Sequence, residues 1–145
     1  MGFFRTNVLP LFAGTVVAGL LIWATELLGL LLYPLPPGVN LEDPASYRAA
    51  MASLPSGALV LVLVGWILGT FAGSWMTARR STRSPIRHGL AFGVLFLLSA
   101  VWNLLTLPHP TWFWALGLAL ALPVSYLGAR LGAASAPEGP APAAA

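Results

Sequence analysis

Few side chains in this 145-residue chain can do chemistry, and one of them occupies an unusual position. The run LLIWATELLGLLLYP, Leu20 to Pro34, is apolar except for Glu26. A carboxylate held in hydrocarbon is disfavoured by roughly 3 kcal/mol on insertion scales, so it marks a ligand or proton site, a polar partner, or water. A second apolar run carries Asn103. Counting about 1.5 Å of rise per residue from the helix midpoints puts Glu26 and Asn103 at one depth, roughly 7–8 Å from the bilayer centre. Three of the six tryptophans accompany them. Trp23 lies one turn before Glu26, Trp102 adjoins Asn103, and Trp66 falls in the same half of the second apolar helix. An acid with aromatic neighbours attracts an organic cation through charge and the cation–π interaction. Glu26, Asn103, Trp23, Trp66 and Trp102 are therefore the expected ligand-binding or proton site. The competing expectation is structural, with Asn103, Thr25 or Thr106 satisfying a protonated Glu26 across the bundle.

Other chemistry is excluded by what is missing or misplaced. There is no cysteine, which removes thiolate catalysis, disulfide exchange and cysteine-ligated metal. His88 and His109 fall at opposite ends of one apolar segment and cannot share a metal within one chain. No glycine-rich phosphate loop and no nucleophile motif occurs. No catalytic residue, no metal and no cofactor is expected, and the chain is not expected to be an enzyme. Its seven basic residues are all arginine, for a net charge of +3. Their placement follows membrane topology, so no nucleic-acid partner is expected.

The elements that must position these residues are membrane helices. Hydrophobic residues make up 58% of the chain and charged ones only 8%, with a mean hydropathy of +0.84. Soluble domains carry about a quarter charged residues, so a polytopic membrane protein in contact with the lipid bilayer is the expectation. Four segments approach the roughly 20 apolar residues that cross a bilayer, at about 10–33, 55–78, 88–107 and 111–131. The apolar run after Arg5 is too long for the core of a signal peptide, so a retained helix is expected. Arg79, Arg80, Arg83 and Arg87 crowd one connector, with Arg5 and Arg130 at the same side, whereas Glu42 and Asp43 accompany only Arg48 on the other. The positive-inside rule then gives cytoplasmic termini, N-in and C-in. The absence of lysine suits a GC-rich genome and hence a bacterial inner membrane.

The fold class predicted is all-α integral membrane, an up-down-up-down bundle over residues 1–132. Its outer loop, 34–54, contains Asp43-Pro44, a helix cap and first-turn proline. The short helix they open carries Tyr47, Ala50, Met51 and Leu54 on one face, and it is expected to rest on the membrane surface in preference to closing the bundle mouth. The Ala/Pro-rich tail, 133–145, is predicted to be disordered and cytoplasmic. Gly65, Gly69 and Gly73 at four-residue spacing predict close helix packing, as do the pairs Gly89/Gly93 and Gly128/Gly132. Such faces join helices within one bundle, a homo-oligomer or a larger membrane complex. Pro123 is expected to kink the last helix. A faint repeat matches Ser74-Trp75-Met76-Thr77-Ala78-Arg79 with Ser125-Tyr126-Leu127-Gly128-Ala129-Arg130. Two functions follow: non-enzymatic binding or proton-coupled transport of a small lipophilic or cationic ligand at Glu26, or an accessory subunit of a larger complex in which Glu26 is only an interhelical hydrogen bond.

Overall fold

The computed structural model describes residues 4–135. A π-helical turn, Phe4–Val8, leads into α1 (Leu9–Leu32), followed by α2 (Pro44–Ala52), α3 (Ser56–Arg80), α4 (Pro85–Thr106) and α5 (Thr111–Ala134). No strand occurs among the described residues. Four helices, Thr6–Leu32, Ser56–Arg80, Pro85–Thr106 and Thr111–Ala134, are long and apolar enough to cross a membrane.

The boundaries near the arginines differ from the sequence expectation. Arg79 and Arg80 form the last turn of α3, and Arg87 belongs to the first turn of α4. Hydropathy stops at the first charge, but arginine is a good helix former, and at the C-terminus of α3 Arg79 and Arg80 also favour the negative end of the helix dipole. Pro85, at the first helical position, opens α4 with a preset φ. At the other end of the chain Ala133 and Ala134 still belong to α5, while the rest of the expected disordered tail, 136–145, lies outside the described residues. Pro123 stands inside α5, which is continuous from Thr111 to Ala134.

α2 forms where the Asp43-Pro44 pair predicts. The Asp43 carboxylate accepts from the backbone N–H groups of Ala45 and Ser46, both at 3.1 Å, satisfying two of the unpaired donors at the helix start. Asp43→Ala is expected to cost α2 about 1 kcal/mol. Amide hydrogen exchange should then quicken along α2 alone, with the four long helices unchanged.

α3 is the central helix, packed against α1, α4 and α5. Its glycines explain why. A Cβ on Gly65 would strike Thr25, one on Gly69 would come 2.8 Å from Ile22 Cγ1 and 3.2 Å from the Ala18 carbonyl oxygen, and one on Gly73 would meet the Phe92 ring and, at 3.0 Å, the Gly14 carbonyl oxygen. These three glycines are thus spent within the chain, seating α1 and α4 on α3. The contacts run in opposite senses along α1 and α3, and likewise along α4 and α5, where Gly89 abuts Ala129 and Gly93 abuts Ser125. α5 runs parallel to α3, Gly128 lying on the Phe71 backbone and Gly132 on that of Trp75. So α3, α4 and α5 make a mutually packed triangle, and α1 rests on α3 with little contact to α4.

The two arginine-ending motifs meet in this triangle. Ser74 Oγ donates to Ser125 Oγ at 2.9 Å, Ser125 Oγ donates to the Gly89 carbonyl at 3.1 Å, and Ala78 and Ala129 are fully buried. Arg79 stacks over Trp75 at 5.1 Å and Arg130 over Tyr126 at 5.8 Å, one turn apart in each case. The packing faces differ, however. Gly73 and Thr77 of α3 meet Gly14 of α1, whereas Gly128 of α5, the position matching Thr77, lies on α3. The hairpins share a motif without sharing an interface.

Candidate ligand-binding cleft

At the end of the molecule away from the arginines between α3 and α4, the C-terminal half of α1, the 34–54 loop with α2, and the facing ends of α3 and α4 border a cleft of about 310 Å³. That is the lower end of the size range of small-molecule sites. Glu26, Asn103 and Trp66 all line it, from three different helices. Tyr33, Tyr47 and His109 add polar groups, and six leucines, Val62 and Met51 supply much of the apolar wall.

Each side chain arrives for a local reason. Thr25 packs on Gly65, which turns the next residue, Glu26, toward the space beside that seam. Tyr33 ends α1 with its hydroxyl against Gly57, closing the junction between the loop and α3. Trp66 is 7% exposed and forms the cleft floor, edge-on to Phe96 at 6.0 Å and to Phe113 at 5.2 Å. The predicted face of α2 turns inward: Tyr47, Met51 and Leu54 line the cleft, and Ala50 is buried.

Trp23 and Trp102 do not line the cleft. They are 62% and 70% exposed, on the outer surface of α1 and α4 together with a broad set of leucines. Adjacency in sequence explains the difference: Trp102 is about 100° around the helix from Asn103, and Trp23, three residues before Glu26, falls about 60° off it.

The hydrogen bonds expected to satisfy Glu26 are directed elsewhere. Thr25 Oγ1 donates to its own helix, at 2.8 Å from the Ile22 carbonyl, and Thr106 Oγ1 does the same at 3.0 Å from those of Trp102 and Asn103. Among the described residues nothing hydrogen-bonds the Glu26 carboxyl, and Asn103 does not reach it. Glu26 thus lies open to the cleft.

His109 is the residue that sequence reasoning missed. It lies in the tight turn between α4 and α5, at the same end as Glu26, and depth along a straight helix axis hid the fact that loop 34–54 and this turn fold over one space. Its Nδ1 donates to the Leu107 carbonyl at 2.9 Å, and its ring stacks on Phe113 at 4.7 Å and 23°. At the far end His88 has a structural setting, with Nδ1 beside Ser81 Oγ and the Ser84 carbonyl and Nε2 beside Asn7 Oδ1, each at 2.9 Å. The chain matches no protein-family model, no curated protein and no solved structure.

Proposed function

We propose that this chain is a non-enzymatic membrane protein that binds, or carries in exchange for protons, a small lipophilic or cationic ligand at Glu26. The observation that carries the reading is a carboxyl with no hydrogen-bond partner among the described residues, lining a cleft of about 310 Å³ together with Asn103 and Trp66. An acid that served only to tie two helices would be expected to have a partner.

The proposed topology is up-down-up-down with both termini cytoplasmic in a bacterial inner membrane. It is supported by the exposed Arg79, Arg80, Arg83, Arg87 and Arg130 at one end and by Glu42 and Asp43 at the other. On that topology α2 and the cleft lie on the outer side, and the ligand enters from outside or from the outer leaflet. The competing role, an accessory subunit docking through glycine faces, loses support because Gly65, Gly69 and Gly73 are buried under α1 and α4.

The test is ligand titration of the full chain in nanodiscs. Phenylbutylamine and its trimethylated counterpart serve as probe cations, and the readout is tryptophan fluorescence. At least one probe should bind, and Glu26→Gln should weaken it tenfold or more while the helix content of the protein is unchanged. Binding that is indifferent to Glu26→Gln, or absent for both probes, overturns the proposal.

A further inference from the structure

We infer that the cleft selects a primary ammonium group over a quaternary one, recognising it by its N–H bonds. The inference rests on the proposed ligand site and names the ligand class. It begins with His109. A carbonyl oxygen can only accept, so the 2.9 Å contact to Leu107 requires that the proton reside on Nδ1. A neutral imidazole protonated there carries a bare lone pair on Nε2. Stacking on Phe113 holds the ring in place, so this acceptor is fixed before any ligand arrives.

The residues lining the cleft therefore include three with an acceptor that makes no hydrogen bond among the described residues: the Glu26 carboxylate, His109 Nε2 and the Asn103 side-chain oxygen. Among the described residues no arginine lines the cleft, and Arg48 borders the neighbouring hollow that His109 also lines. A primary ammonium has three N–H donors, and charge-assisted bonds to a carboxylate are the strong ones. A quaternary ammonium has none and must rely on aromatic faces. Those faces are fewer than the six tryptophans suggest: Trp23 and Trp102 are turned outward and Trp66 is packed edge-on between Phe96 and Phe113, which leaves Tyr33 and Tyr47. The remaining wall, with Leu30, Leu59, Val62 and Met51, accepts an apolar tail. At about 310 Å³ the site holds a head group and a short tail.

The two probes share one tail and differ only in the N–H bonds. Phenylbutylamine should bind wild-type protein at least tenfold more tightly than its trimethylated counterpart. His109→Phe keeps the ring stack and removes the acceptor. It should weaken the amine severalfold and leave the trimethylated probe unchanged, whereas Glu26→Gln weakens both. Equal wild-type affinities that fall together in Glu26→Gln overturn the selectivity and leave the cleft reading standing. An amine preference that survives in His109→Phe removes His109 from the recognition. No binding of either probe overturns both proposals, and the wild-type comparison decides the matter even if His109→Phe does not fold.

Discussion

Trp66→Ala is expected to destabilise the bundle by about 3 kcal/mol, the low end of the range for deleting a buried tryptophan. The low end applies because hydrocarbon, not water, surrounds the separated helices, so lost packing contributes more than transfer of apolar surface. Trp66 is the largest member of the one core cluster, with Leu59, Leu63, Ala100, Leu104 and Phe113 around it. Its two edge-to-face contacts tie α3 to α4 through Phe96 and to α5 through Phe113. Phe113 is itself fully buried and edge-on to Trp112 at 5.7 Å, so the vacancy would reach the start of α5. Equilibrium unfolding in mixed micelles, followed by helical circular dichroism, measures the loss. Trp66→Phe keeps an aromatic edge in the same place but deletes one ring, and should cost less than Trp66→Ala, about 1–2 kcal/mol. If the two variants were equally destabilised, the edge-to-face contacts would not be what holds the triangle together. Trp66→Ala also removes the cleft floor, so binding of the probe cations should weaken in it even at temperatures where it remains folded.

The helical segments were legible in the sequence because hydropathy and helix length are local properties. Asp43-Pro44 was legible for the same reason, since a cap and a first-turn proline act on adjacent backbone groups. Glu26, Asn103 and Trp66, placed at similar depth by the sequence, line one cleft. What stayed hidden depends on rotation about helix axes and on the third dimension. Trp23 and Trp102 are close in sequence to Glu26 and Asn103 but face outward. The glycine faces announced close contact, but not that α3 would use them for α1 and α4 while α5 supplied its own Gly128 and Gly132 against α3. The parallel contact of α3 with α5, which makes a triangle with α1 set outside it, follows from that division of glycines and has no signature in the hydropathy. The sequence puts His109 at one end of an apolar segment, and only the folding of loop 34–54 over the α4–α5 turn shows that it shares a space with Glu26.

The division of glycines makes a second prediction of large effect, and one in which a single type of change has opposite signs at different positions. A Cβ on Gly128 would collide with the carbonyl oxygen of Phe71 and lie 3.1 Å from its carbon. These atoms are backbone of a neighbouring parallel helix, and no rotamer change moves them. Gly128→Ala should therefore cost about 2–3 kcal/mol, the overpacking penalty of a tight interface. Gly69→Ala meets Ile22 Cγ1 and Cδ1 first, the flexible end of a side chain, so part of the strain is relieved by rotation and the loss should be smaller. Gly19 has nothing within 4 Å of its would-be Cβ. There alanine gains helix propensity with no contact to resist it, and Gly19→Ala should stabilise by about 0.5–1 kcal/mol. Unfolding of the three variants in one micelle system gives the order Gly128→Ala, Gly69→Ala, wild type, Gly19→Ala from least to most stable. Gly69→Ala carries a further consequence, because Ile22 and Ala18 seat α1 and Glu26 lies one turn beyond Ile22. A displaced α1 should weaken probe binding in this variant, whereas Gly19→Ala, on the open face of the same helix, should bind as wild type. An inverted order, with alanine tolerated at Gly128, would mean that α3 and α5 do not approach as closely as their backbone contact requires.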